Sequence, residues 1–189
     1  MPVPNLNDET AEPQSLDEIL DWHSGQVGAL IEQRAVTLHA LQSGSRVNVP
    51  LAFPTENEIE SYFQRQRREL DRLTVLNLVA SAEATIRVDF FHRVRNRLKD
   101  RLSVAYRDWF DTLSGRKQLR PDFDEQGILT VIKQVGVLDN HLIGQFRECL
   151  QARHWIGHGR FWAKPVAVDA LAPVDVLNRA NIVIRAVTI

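Results

Sequence analysis

The chain has a single cysteine, Cys149, among 189 residues. One thiol cannot form an internal disulfide framework or a cysteine-based zinc site, so Cys149 is interpreted as a small apolar residue in a reducing compartment. No apolar run approaches the length of about 20 residues that a membrane-spanning helix needs, and the acidic N-terminus lacks the apolar core of a signal peptide. These absences predict a cytoplasmic protein with no membrane contact.

Glycine and proline are also scarce, at nine and eight residues. These numbers are low for an all-β protein of this length, because the turns between strands use both residue types. The remaining composition, 44% apolar and 25% charged, is typical of a globular protein. The sequence therefore predicts an all-α fold with one main domain.

The charges are unevenly distributed, although the formal net charge is only −1. Residues 1–59 carry two basic and nine acidic side chains, residues 60–120 carry fourteen basic and eight acidic, and residues 121–189 carry seven of each. A basic middle segment permits a nucleic-acid surface. It equally permits pairing of the basic and acidic segments, within one chain or between subunits.

Capping signals predict where the two longest helices begin. Residues 15–18 and 55–58 each read as a capping box. The first box begins a helix that runs to Ser43, and the second begins a stretch to Leu113 that contains neither glycine nor proline. Because this stretch is too long for one typical globular helix, a break is predicted near residues 97–104.

Three further helices are predicted from apolar periodicity and stop signals. The last of them ends in β-branched residues, which leaves a strand as the alternative there. Residues 1–14 are predicted to be unstructured, so that residues 1–54 form an arm with one accessory helix and a linker, and residues 55–189 form the main helical domain. The three helices are predicted over residues 123–135, 138–155 and 174–187.

Two charged residues interrupt apolar stripes on these helices. The stripe that reaches Leu150 continues with Arg153, and the stripe that includes Ile86 also includes Glu83. A guanidinium does not deprotonate in proteins, so on a core-facing stripe it needs a carboxylate or phosphate partner. The pattern predicts a half-buried Arg153–Glu83 pair. The alternative is an ordinary surface pair between Glu83 and Arg87, four residues apart, with Arg153 reaching solvent on its long stem.

Two histidines, His154 and His158, follow Arg153 closely. Arginine grips phosphate with a planar fork of donors, and histidine transfers protons near neutral pH, so the cluster fits phosphodiester chemistry without a metal. On an ideal helix Arg153 and His158 are about 140° apart, and they meet only if the helix unwinds at Gly157. A two-histidine metal arrangement is the alternative. No third ligand is close in sequence, so neither a metal nor a cofactor is predicted.

The segment ECLQARHWIGHGRFW, residues 148–162, resembles the signature of HEPN (higher eukaryotes and prokaryotes nucleotide-binding) domains. That signature is an arginine, a polar residue, a few variable positions and a histidine, often followed by glycine. Arg153, His158 and Gly159 match it, whereas the polar position, frequently asparagine in the family, is His154 here. The upstream VLNLVASAEATIRVDFF is similar to the earlier core helix of the RiboL-PSP and related prokaryotic branches, and the resemblance covers about residues 60–189.

The resemblance implies a HEPN-type helical bundle, with an additional N-terminal helix here, that dimerises and places two motifs in a shared cleft. Many members are metal-independent endoribonucleases of toxin–antitoxin or defence systems, and others are non-catalytic modules that bind nucleotide, RNA or a partner protein. The implied partners are RNA, a second copy of the chain and an antitoxin protein. A plain helical scaffold, whose acidic arm docks on a basic surface, is a further alternative.

The implied catalytic residues are Arg153 and His158, supported by His154 and by Glu83, which would hold Arg153 in place. Cleavage would proceed by attack of the RNA 2′-hydroxyl on its own phosphate. His158 would act as general acid or base, and Arg153 would bind the non-bridging oxygens as negative charge builds. DNA lacks the 2′-hydroxyl, so only RNA would be cleaved.

Two basic groups are candidates for RNA contact. Arg160 and Lys164 lie among Trp and Phe residues, a mixture suited to phosphate contact and base stacking, although core packing is the commoner use of these aromatic side chains. The run of residues 92–101, which includes Arg93 and Arg97, is the densest cationic patch. It predicts contacts to the RNA backbone, with a solvated helix face as the alternative.

Overall fold

The computed structural model describes residues 13–51, 54–160, 162–165 and 167–188. All regular secondary structure in these ranges is helical, which confirms the predicted all-α class. In the same ranges no helix is both long enough and apolar enough to cross a membrane. The helices are α1 (Leu16–Gln42), α2 (Glu56–Arg95), α3 (Arg101–Thr112), α4 (Arg116–Leu119), α5 (Ile128–Val135), α6 (Asn140–Gly157), α7 (Ala167–Ala170) and α8 (Pro173–Val187).

The central element is α2, whose 40 residues span about 60 Å at 1.5 Å per residue. Helices α1, α3, α6 and α8 all pack against it. Residues 56–73 of α2 bury only Ile59 and Phe63, whereas the part from Thr74 onward buries residues on every turn. The core therefore lies beside this later part of α2, and residues 56–73 project from it with α1 as their main partner. The buried apolar residues of the later part include Val75, Leu78, Val79, Ala82, Ile86 and Phe90.

Two side-chain contacts show that α1 runs antiparallel to α2. His23 Nε2 lies 2.7 Å from Asp71 Oδ1, and Arg34 Nε donates to Glu60 Oε2 at 2.8 Å. Later residues of α1 thus meet earlier residues of α2. This pairing joins the accessory helix to the main helical unit along its length.

The predicted first helix, residues 15–43, is confirmed to within one residue at each end. The prediction of a capping box at its start is wrong, because the Ser15 side chain makes no hydrogen bond to the first turn. Leu16 and Ile19 belong to the core, so the arm contributes to the central packing. Residues 1–12, for which no structure was expected, lie outside the described residues.

The second capping box is confirmed, and so is the break in the long stretch. Thr55 N donates to Glu58 Oε2 at 2.8 Å, and Glu58 N donates to Thr55 Oγ1 at 3.3 Å. The break falls at residues 96–100, where Arg97 adopts a φ of 51° and Asp100 caps α3 by accepting from the backbone of the next turn. Because the chain turns here, α3 folds back against the end of α2.

Arg93, which was predicted to contact RNA, is instead buried within this corner. Only 5% of the residue is exposed. Its guanidinium donates to Asp89 Oδ2 at 2.6 Å, Asp100 Oδ1 at 2.9 Å, Ser103 Oγ at 3.1 Å and the Val187 carbonyl at 2.6 Å. Arg93 therefore joins the ends of α2 and α8 to the start of α3, with its donors already occupied.

The later helices differ from prediction mainly at α5. The predicted helix over residues 123–135 begins only at Ile128, because the chain turns tightly before it. A Cβ placed on Gly127 would lie 2.2 Å from the Asp122 carbonyl oxygen, so only glycine fits this turn. The helix predicted over residues 138–155 is α6, and the one predicted over residues 174–187 is α8, which excludes the strand alternative there.

Candidate functional site

The motif of residues 153–159 forms the last turn of α6 and its cap. The backbone N–H of His158 donates to the His154 carbonyl at 3.0 Å, and positive φ angles begin only at Gly159 (86°) and Arg160 (60°). The unwinding at Gly157 that would let Arg153 and His158 meet does not occur. Because α6 continues to Gly157 with His158 as its cap, helix geometry places Arg153 and His158 about 140° apart around the axis, so their side chains leave different sides of the helix.

Arg153 faces α2 and forms the predicted pair with Glu83. Arg153 Nη2 lies 3.5 Å from Glu83 Oε2, and the side chains are 29% and 14% exposed. Glu83 Oε1 also accepts from Arg87 Nε at 2.9 Å, so the alternative pair is present as well. The carboxylate bridges both arginines. Arg87 is fixed in turn because its Nη1 donates to the Pro121 carbonyl at 2.7 Å.

A cavity of about 350 Å³ lies beside this pair. Arg153 and His154 form part of its wall, and the loop that precedes α5 forms another part. Three arginines and four carboxylates face the space, so its charge is mixed rather than strongly positive. The charged lining residues are Glu83, Arg87, Arg120, Asp122, Asp124, Glu125 and Arg153.

The loop residues of this cavity were missed in the sequence. Asp124 Oδ1 accepts from Arg147 Nε at 2.7 Å, which attaches the loop to α6. Arg120 enters the wall from the same loop. These contacts join positions more than 20 residues apart, and helical periodicity carries no signal for such a loop.

The ring of His154, which lines the cavity, stacks on the ring of His158. His154 and His158 stack with ring centroids 5.7 Å apart and an interplanar angle of 12°. Partial burial lowers the pKa of His154, and the neighbouring charges of Arg153 and His158 lower it further. His154 is therefore a neutral imidazole at neutral pH, able to accept a proton. Within the described ranges, no group of three histidine, cysteine or carboxylate side chains could hold a metal.

Arg160 is held in an ion pair rather than presented to solvent. Its Nη1 donates to Glu69 Oε2 at 2.8 Å, and its guanidinium lies 5.6 Å from the Trp155 ring centroid. Trp155 is only 7% exposed, so it packs in the core and is not a base-stacking surface. Lys164 is exposed and lines a second, larger cavity. Phe161 lies outside the described residues.

The patch of residues 92–101 is remote from this motif. Arg97 is exposed and follows the end of α2, about 20 Å along the helix axis from the level of Glu83. Arg160 and Lys164 lie toward the other end, because Arg160 pairs with Glu69. The two basic groups that were predicted to contact RNA are therefore on opposite sides of the Arg153–Glu83 pair.

No family model, curated protein or solved structure matches the chain. The resemblance to HEPN domains therefore rests on the residues of the motif and of the earlier helix. It remains a hypothesis about the family.

Proposed function

We propose that the protein is a metal-independent endoribonuclease of the HEPN type that acts as a homodimer. The observation that carries this proposal is the arrangement at the end of α6, where Glu83 pairs with Arg153, the adjacent His154 lines the same cavity, and the ring of His154 stacks on that of His158. A fixed guanidinium supplies phosphate recognition, and an imidazole supplies proton transfer. These two functions are what phosphodiester cleavage without a metal requires.

The dimer is part of the proposal because one chain separates Arg153 from His158. A two-fold axis near the end of α6 would set Arg153 of one copy opposite His158 of a second copy. An isologous interface repeats every contact, so two such composite sites would form at once. Arg153 and His154 share one cavity wall, and we assign them to the same composite site.

In this site the 2′-hydroxyl attacks the adjacent phosphorus while the P–O5′ bond breaks. One imidazole accepts the 2′-hydroxyl proton and the other donates a proton to the leaving 5′-oxygen, which gives a 2′,3′-cyclic phosphate and a free 5′-hydroxyl. His158 of one copy and His154 of the other take these two roles, each worth about 10²–10⁴-fold in rate. Arg153 stabilises the charge on the non-bridging oxygens, and Glu83 positions Arg153.

The proposed setting is the cytoplasm, as a toxin or defence effector restrained by an antitoxin protein. The second candidate is a non-catalytic HEPN module that binds nucleotide, RNA or a partner protein. The mixed charge of the cavity beside Arg153 favours its partner-protein form, because four carboxylates there oppose a polyanion such as RNA. The two candidates differ in a single observable, the cleavage of RNA.

The test is incubation of the purified protein with a labelled single-stranded RNA in EDTA. We expect cleavage that leaves 2′,3′-cyclic phosphate ends and is abolished by His158→Ala. His141→Ala is the matched control, because His141 is an exposed histidine at the other end of the same helix. Cleavage that persists at full rate in His158→Ala rejects the proposal, and binding without cleavage supports the second candidate.

A further inference from the structure

A larger cavity, of about 770 Å³, lies between the first half of α2 and the segment that follows α6. Its described lining has an apolar floor and a cationic rim. The floor includes Val75, Ile156 and Leu171. The rim carries Arg65, Arg68, Arg72 and Lys164.

Three of these cations form a straight row along α2. Arg65, Arg68 and Arg72 are spaced by three and four residues, so they share one face of the helix. The row is about 10 Å long at 1.5 Å per residue. Arg72 is held in place, with its guanidinium 5.7 Å from the Trp155 ring centroid, whereas Arg65 and Arg68 are exposed. We call these three residues the arginine row.

Two carboxylates also line the cavity, and each is paired with a cation outside the row, although Glu69 Oε2 also lies 3.7 Å from Arg72 Nη1 within it. Glu69 accepts from Arg160 Nη1 at 2.8 Å, and this pairing lowers the pKa of Glu69. Asp71 accepts from Arg67 Nε at 3.0 Å and lies 2.7 Å from His23 Nε2. The carboxylates are therefore compensated without Arg65 or Arg68, and the rim stays positive.

The arginine row begins close to the end of the motif of residues 153–159 and leads away from it along α2. A Cβ on Gly157 would meet Leu76 Cδ1 at 3.5 Å, which places the end of α6 at the level of Leu76 on α2. From that level Arg72, Arg68 and Arg65 lie about 6, 12 and 17 Å further along the axis. A chain of phosphates leaving His158 in this direction would meet one arginine after another.

We propose that the arginine row, with Lys164, binds the backbone phosphates of single-stranded RNA on one side of the cleaved bond. This inference rests on the proposed ribonuclease function, and it assigns the RNA path to the first half of α2 instead of the patch of residues 92–101. A positively charged groove that follows the backbone is how single strands are held without sequence preference.

The test compares two double variants by fluorescence anisotropy with a 2′-O-methyl RNA, which 2′-hydroxyl attack cannot cleave. Arg65→Gln/Arg68→Gln removes two cations of the row. Lys133→Gln/Arg185→Gln is the matched control, because it removes two exposed cations on α5 and α8. Thermal melting verifies that both variants are folded.

We expect the row variant to bind more weakly and its plot of log affinity against log salt to flatten by about 1.4, at about 0.7 per lost phosphate contact. The control should keep the wild-type slope. Equal slopes in the two variants, or a wild type that does not bind this RNA, overturn the inference. If binding depends on the arginine row but ordinary RNA is not cleaved, only the proposed ribonuclease function is rejected. If ordinary RNA is cleaved but binding does not depend on the arginine row, only the proposed role of the row is rejected.

Discussion

Glu83 Oε2 lies 3.5 Å from Arg153 Nη2, and the two residues come from different helices and are 70 positions apart. Each interrupts an apolar stripe on its own helix. The same carboxylate also accepts from Arg87, so one negative charge compensates two guanidinium groups. In the proposed mechanism, this carboxylate holds the phosphate-binding arginine in position.

Replacement of Glu83 with glutamine tests that positioning role. Glu83→Gln keeps the shape of the side chain but leaves Arg87 and Arg153 without their shared charge partner. We expect RNA cleavage to fall by about 10- to 100-fold, because a small displacement of a positioned group is costly. The free energy of unfolding should fall by about 1–2 kcal/mol, less than for a fully buried pair, since both partners are partly exposed.

Cleavage assays and urea unfolding measure the two effects separately. Glu32→Gln, at an exposed position on α1, is the control and should change neither quantity. Cleavage of RNA by Glu83→Gln at the wild-type rate would show that Glu83 does not position Arg153.

Arg93 is expected to matter for stability and not for RNA binding. Arg93→Ala removes four hydrogen bonds from a buried corner, one of them a charge-assisted bond to the buried carboxylate of Asp89. The free energy of unfolding should fall by about 3–5 kcal/mol, whereas Arg97→Ala, at an exposed position nearby, should change it by less than about 0.5 kcal/mol. Urea denaturation measures the free energy of unfolding of both variants. A loss for Arg93→Ala as small as that for Arg97→Ala would contradict the assignment of Arg93 to the corner.

The pKa of His154 predicts how stability changes with pH. Its folded pKa is below the ordinary value of 6.5 because of burial and the adjacent charges. The unfolded chain then binds more protons than the folded one in the window just below pH 6.5, so stability is full above this pH and decreases as the pH falls through the window.

Thermal melting as a function of pH tests this. His154→Gln should lose less stability than the wild type between about pH 7 and pH 5, and His141→Gln should behave like the wild type. Parallel curves for all three proteins would show that His154 does not carry this dependence.

Cys149 should be unreactive in the folded protein. It is buried on α6, and burial raises the pKa of its thiol to about 11. Thiolate is the reactive species, so iodoacetamide should label Cys149 only in denaturant. Rapid labelling of the native protein, detected by mass spectrometry, would contradict its burial.

The sequence predicts the long helices and the Arg153–Glu83 pair because both depend on helical periodicity. A capping box begins α2, and charged residues on apolar stripes identify the pair. The same reasoning applied to Arg93 would have placed it correctly, since it follows Phe90 by three residues on a buried stripe. Its position within a cationic run obscured that signal.

Other features depend on contacts that sequence periodicity does not encode. The late start of α5 follows from the close approach of Gly127 to the Asp122 carbonyl. The separation of Arg153 from His158 depends on where α6 ends. A glycine at position 157 is compatible both with a helix that ends before it and with one that continues through it. These are differences of a single turn, and they decide which side chains share a cavity.

The most direct test of the composite site is a mixture of two inactive variants, Arg153→Ala and His158→Ala. If each site takes Arg153 from one copy and His158 from the other, heterodimers carry one intact site. An equal mixture, allowed to exchange subunits, should recover about a quarter of the wild-type cleavage activity. A mixture that stays inactive although heterodimers form would contradict the account.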